Sequence, residues 1–259
     1  MIKLRYYIII CFFTVFSDNC FSQREYREEF NEDLPLYYGM QMRLILPGFG
    51  SNTPMTLVDS MYSSTSKFLP GYSFGGMIRR DFEKGFSIEG GINYTQRHLY
   101  VQMEVPDSSI SLDNTMTFIN YEFPFQGLVF VKMTKSIFGS AGLGASFFYK
   151  PTNVRVNNYT DGKSNFVHYG YARWKFGAEI NAQAGFEFRT KKIGYYYLGA
   201  SAKIPLSALF EYNGLYFYGT QLKANDFTQA SGAFLSVDFR YYLPKIKNAG
   251  RQPLINPIE

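Results

Sequence analysis

Two histidines, His98 and His168, are the only imidazoles in this 259-residue chain, so base catalysis near neutral pH would turn on them. A lipid-modifying hydrolase or acyltransferase needs a nucleophile and a base within hydrogen-bond reach, and a third group that orients the base. The stretches "RHLYVQME" and "FVHYGYAR" set no serine beside either histidine, although Ser108, Ser109 and Ser111 share a connection with His98. There is no HExxH, no paired CxxC and no Gly-rich phosphate loop between a strand and a helix. The sequence therefore predicts no catalytic residue, no cofactor and no metal site, and it reads both histidines as rim or loop-packing side chains.

The remaining chemistry lies in charges interleaved with apolar residues. In "KFGAEINAQAGFEF" (175–188), Phe176, Ala178, Ile180, Ala182, Ala184, Phe186 and Phe188 share one parity, and Glu179, Asn181, Gln183 and Glu187 share the other. Period two means a strand whose faces meet different environments. Strands of soluble sandwiches run to about 5–6 residues, whereas a transmembrane strand needs about 9–11, with lipid on one face and a polar interior on the other. The length points to a membrane barrel.

On that reading the polar parity of the strands gathers Arg43, Arg79, Glu89, Arg97, Glu122, Glu179, Glu187, Arg189, Lys203, Asp238 and Arg240 inside a narrow tube. An eight-stranded barrel is about filled by its own side chains, and unpaired buried charges are costly. Paired networks are expected, with a polar ligand or proton route as the functional alternative.

The amino-terminal "MIKLRYYIIICFFTVFSDNCFSQ" sets Lys3 and Arg5 before an apolar run, the layout of a secretory signal over residues 1–22 with cleavage before Gln23. Cys11 and Cys20 both lie within it, so a mature chain holds no thiol for a disulfide, nucleophile or metal; a lipoprotein cysteine at Cys20 is the lesser alternative. Cleavage removes two basic residues and one acidic one, lowering the net charge from +5 to +4. That balance does not call for nucleic acid. Aromatics are plentiful, at 19% of residues.

Eight strands are predicted within a barrel domain of residues 34–243: 37–46, 71–80, 86–97, 117–133, 138–150, 173–189, 194–206 and 232–243. Pro124 should interrupt the fourth, because proline cannot donate to a ladder. Tight turns join the second to third, fourth to fifth and sixth to seventh strands, while 47–70, 98–116, 151–172 and 207–231 are long, polar and Tyr-rich. Short periplasmic turns alternating with long external loops are the topology of an outer-membrane barrel. The fold class is thus all-β, an eight-stranded antiparallel up-and-down transmembrane barrel. Segments 23–33 and 244–259 fall on the periplasmic side, where solubilising polypeptide is the plain reading of chain ends.

The segments "FINYEFPFQGLVFVKM" and "IFGSAGLGASFFYK", followed by "KFGAEINAQAGFEF", resemble the hairpin strands of the PorT-like outer-membrane β-barrel family. The resemblance implies a small monomeric barrel in the outer membrane of a Bacteroidetes-type bacterium. Some members of that family serve type IX protein secretion, so the resemblance does not fix an activity.

Function is therefore expected outside the lumen, in a non-enzymatic structural or accessory component that meets outer-membrane lipid and other envelope proteins. Phe210, Tyr212, Leu215, Tyr216, Phe217 and Tyr218 either form an exposed contact patch or belong to the girdle and to extended strands. The alternatives are a lipid-modifying barrel enzyme and a surface-binding or adhesive barrel.

Overall fold

A chain that alternates polar and apolar residues over long strands has one way to satisfy its backbone in lipid, which is to close the sheet on itself. The computed structural model of the protein describes residues 36–47, 55–59, 62–82, 85–105, 110–160, 163–190, 193–230 and 232–244. The signal, the 23–33 segment, most of the carboxy-terminal tail, Ser108 and Ser109 lie outside them. Thirteen strands run through the described residues: β1 (Leu36–Pro47), β2 (Met55–Asp59), β3 (Tyr62–Phe82), β4 (Phe86–Val105), β5 (Ile110–Lys132), β6 (Ile137–Tyr149), β7 (Val154–Thr160), β8 (Ser164–Tyr171), β9 (Phe176–Thr190), β10 (Gly194–Pro205), β11 (Phe210–Tyr218), β12 (Gln221–Ala230) and β13 (Phe234–Tyr242).

Eight of them form an antiparallel ring in the order β1-β3-β4-β5-β6-β9-β10-β13, and β13 pairs back onto β1. The ring is the predicted barrel. Its strands alternate as the sequence requires: on β1, Tyr38, Met40, Met42 and Leu44 face outward while Gln41 and Arg43 are buried. The Leu243 N–H donates to the Tyr38 carbonyl at 2.9 Å, so both ends of the barrel chain lie at the end of the short turns. At the β9–β10 turn, Gly194 takes φ +104 with its backbone against the Tyr242 carbonyl, a conformation that favours glycine. Pro124 interrupts pairing with β4, where Gly90 opposes Phe125 and pairing resumes at Asn93 with Glu122, but the register does not shift.

The four connections predicted as long polar loops are largely strand, which corrects the sequence reading. β3, β4 and β5 run 21, 20 and 23 residues, about twice what a bilayer needs. β7, β8, β11 and β12 form a second sheet in the order β12-β11-β8-β7, and β2 pairs antiparallel with the upper end of β3. A bulge between Leu69 and Tyr72 marks the level at which this upper part begins on β3.

Along β4 the two faces exchange character at that level. Up to Arg97 the inward residues are polar (Ser87, Glu89, Asn93, Thr95), and beyond it they are Leu99, Val101, Met103 and Val105, all buried. The outward residues change from Phe86, Ile88 and Ile92 to Gln96, His98, Gln102 and Glu104. Below the exchange the surroundings are lipid; above it they are water, and the interior becomes an ordinary apolar core. That core joins the upper β4–β5 hairpin, with Met116 and Phe118, to Leu209 just before β11 and to Phe166, Phe210, Tyr212 and Tyr216 of the second sheet. The assembly is a cap.

Candidate functional site

All eleven charges expected in the lumen are buried there, and they connect across strands in three tiers. At the short-turn end, Arg79 donates to Glu187 and lies 2.9 Å from Asp81, and Arg189 donates to Glu187 at 2.6 Å. Tyr37, Phe130, Tyr195 and Tyr242 surround the Arg79 guanidinium, the last at 4.5 Å from its ring centre. Such rings offer their negative faces to the cation.

In the middle tier Glu89 accepts from Arg240 at 2.8 Å, from Gln126 at 2.5 Å and from the Tyr242 hydroxyl. Arg240 also donates to Gln183 and Asp238. Tyr197 stacks beneath Arg240 at 4.7 Å. The facing glycines Gly185 and Gly199 leave that ring its space, since a Cβ on Gly199 would fall 2.2 Å from the Tyr197 hydroxyl.

The upper tier is centred on Lys203, which donates to Glu122 at 2.5 Å and Glu179 at 2.6 Å. Arg43 links Glu122 at 3.4 Å to Asp238 of the middle tier at 3.6 Å. Arg97 lies 3.7 Å from Glu122 and 3.9 Å from Glu179, with its guanidinium over Phe234 at 4.1 Å.

Above this tier the strands on the β6-β9-β10-β13 side break before the second sheet begins, and the break frees backbone carbonyls into the interior. Two buried cations satisfy them: Lys150 donates to Leu209 O at 2.9 Å, and Arg97 donates to Gly232 O at 2.6 Å. The apolar cap then closes the tube.

His98 lies on the outer face of β4, where its Nδ1 shares a 2.9 Å hydrogen bond with the Thr117 hydroxyl of β5. Ser111 stands six positions further along β5, about 20 Å away at strand rise. His168 is fully buried in the cap, its Nδ1 sharing a 2.9 Å hydrogen bond with the Tyr212 hydroxyl. Burial pushes His168 down to about 4 and raises the Tyr212 hydroxyl, because an apolar surrounding disfavours the charged form of each. Among the described residues no third group orients either histidine from its other ring nitrogen.

For 210–218 the structure overturns the reading as one exposed patch and bears out the alternative of an extended strand. β11 alternates, so Phe210, Tyr212 and Tyr216 point into the cap, where Phe210 stacks on Phe118 at 3.7 Å between ring centres. Leu215 and Phe217 are half-buried on the outer face, and Tyr218 is exposed at the hairpin tip. Gln183, on the polar parity, joins the lumen network, and so do Gln126 and the tyrosines Tyr37, Tyr195, Tyr197 and Tyr242, which the sequence reading does not name. The signal for them was parity alone, since all lie on the inward positions of their strands.

Comparison with known proteins adds the family. No curated protein matches the chain. Among solved structures it is similar to the outer membrane protein OprG from Pseudomonas aeruginosa, at 8% identity over 81% of this chain and 95% of that one, TM-score 0.46. It is also similar to the beta domain of the Bordetella autotransporter BrkA, at 8% identity over 80% and 98%, TM-score 0.30. The transport unit of the autotransporter AIDA-I from Escherichia coli is a further match, at 10% identity over 88% and 96%, TM-score 0.22. The model of the outer membrane protein beta-barrel domain matches residues 21–211, most of the chain. With its closed eight-stranded ring and apolar outer band, the chain belongs to this family of bacterial outer-membrane β-barrels.

Proposed function

We propose that the protein is a non-enzymatic accessory barrel, a transmembrane anchor that presents its capped upper part to other envelope proteins. The observation behind this reading is the blocked interior: three tiers of ion pairs fill the lumen and an apolar core covers them. What stays available is the outside of the cap. Its β11–β12 tip presents Tyr218 and Leu222 about half exposed, and exposed aromatic and aliphatic anchors often supply much of an interface's energy. The likeness of "FINYEFPFQGLVFVKM" to PorT-like barrels supports placing those partners in a secretion or assembly complex.

The test is mild detergent extraction followed by mass spectrometry of co-purifying proteins, comparing wild type with Tyr218→Ser/Leu222→Ser. The variant should stay heat-modifiable yet lose at least one partner. If it retains every partner while His98→Ala abolishes a lipid-modifying activity, the accessory reading fails and the enzyme reading replaces it.

A further inference from the structure

On the outer face of the second sheet, Asn153, Arg155, Tyr169, Tyr171 and Asn213 line a groove of about 310 Å³, near the lower end of the range for small-molecule sites. Tyr169 and Tyr171 stand two positions apart on β8 and so share a face. Arg155 crosses the Tyr169 ring at 5.0 Å and donates to Asn157 at 3.2 Å, which holds its guanidinium at the groove. Asn153, exposed at the groove's edge, offers its side-chain amide to a ligand.

The groove's height in the fold narrows its ligand. Tyr171 runs directly into the 172–175 segment, and the Ala172 N–H donates to Asn153 Oδ1 at 3.2 Å. Trp174 and Phe176, 70% and 74% exposed, are the girdle side chains that settle at a membrane–water interface. Arg173, between groove and girdle, is exposed and lies 3.9 Å from Glu211, the carboxylate to which Tyr171 is hydrogen-bonded. The groove thus opens just above the lipid surface. Its wall of rings, amides and guanidinium suits a sugar better than an acyl chain. Rings pack against the apolar faces of a sugar, amides meet its hydroxyls, and arginine pairs with phosphate.

From these contacts we propose that the groove binds the phosphorylated sugar headgroup of a glycolipid in the outer leaflet, with Arg155 and Arg173 toward phosphate and the exposed Asn153 amide meeting a hydroxyl. This does not depend on the accessory reading, because lipid and protein partners would occupy different parts of the cap.

The test uses the full barrel in a zwitterionic detergent and native mass spectrometry. The probes are an acylated glucosamine disaccharide bisphosphate, its dephosphorylated form, phosphatidylethanolamine, and the disaccharide bisphosphate without acyl chains. The bisphosphorylated lipid should bind best. Arg155→Gln and Asn153→Ala, with heat-modifiability intact, should each weaken it about tenfold, the loss of one good hydrogen bond, and Lys223→Gln on β12 should leave it unchanged. Equal binding by all variants, or equal retention of phosphatidylethanolamine, would reduce the groove to ordinary lipid contact and overturn the proposal. If the acyl-free disaccharide competes as well as the lipid, the site takes sugars from solution and the glycolipid assignment falls.

Discussion

Lys203 of β10 reaches across the lumen to Glu122 of β5, Nζ to Oε2 2.5 Å, although β9 and β6 separate those strands in the ring. The bond is a strut between opposite walls, and the same ammonium holds Glu179 at 2.6 Å. Replacing Lys203 by Met leaves two buried carboxylates short of a cation, a change that costs roughly 3–5 kcal/mol when one partner of a buried pair is removed. The urea midpoint of the heat-modifiable band should fall accordingly. Lys203→Met/Glu179→Gln should recover part of the loss, because one carboxylate charge goes with the cation while Glu122 keeps Arg43 and Arg97.

The same struts predict an electrically quiet barrel. Eight strands leave an interior just wide enough for side chains, and here Arg79, Arg240 and Lys203 are among the largest fully buried residues. Reconstitution into planar bilayers should give no sustained porin-like current. Large stable channels would mean that the tiers part in the membrane, and transport would then become the leading function.

Neighbouring positions on β9 test which face meets lipid. Ala182 is exposed on the apolar parity, whereas Gln183 is buried and accepts from Arg240. Sequence parity alone suggests that arginine is better tolerated at Gln183 than at Ala182. The structure leaves no room for it there, since a Cβ on Gly142 would already lie 2.8 Å from Gln183 Nε2. Ala182→Leu should therefore be close to neutral and Ala182→Arg should cost about 2–4 kcal/mol in a bilayer. Gln183→Leu should cost about 1–3 kcal/mol by leaving an Arg240 N–H unpaired. Equal responses to leucine at the two positions in a lipid refolding titration would remove the assignment of faces.

The cap can be loosened without opening the barrel. Phe210 is buried against Phe118 and Phe68, so Phe210→Ala should cost about 3–5 kcal/mol of cap stability. Tyr218→Ser, at an exposed tip, should stay within about 0.5 kcal/mol. Hydrogen exchange should rise in 154–171 and 210–230 for the first variant only, with the ring strands protected in both.

How much of this was legible beforehand follows from where the alternation holds. On β1 and β13 one phase runs from end to end, and the sequence places Arg43, Asp238 and Arg240 inside without ambiguity. On β4 the phase inverts after Arg97, because the strand leaves lipid and its apolar residues move to the inner face. Period-two reasoning takes that inversion for the end of a strand and so reads the upper half of β4 as loop. Phe210, Tyr212 and Tyr216 stay ambiguous in the sequence for a related reason. Aromatics outside a membrane band suggest an exposed patch until a facing sheet is known, and that sheet is built from residues far away in sequence. Pairing inside the lumen was predictable from cost alone, but the choice of partners depends on barrel closure, which no local pattern encodes.

His168 should make the cap sensitive to acid. Its ring is buried among apolar neighbours with one hydrogen bond, to Tyr212, and burial holds it down from 6.5 to about 4. The unfolded cap therefore binds a proton between those values that the folded cap refuses. Stability from this group is complete above the unfolded value and is lost as pH falls toward the folded one. By pH 5 the loss amounts to about 2 kcal/mol. Limited proteolysis of the cap should accelerate between pH 7 and pH 5 while the heat-modifiable barrel persists. His168→Gln, which cannot titrate in this range, should flatten that dependence even if it lowers cap stability throughout. An unchanged pH profile in His168→Gln would assign the acid response to another group.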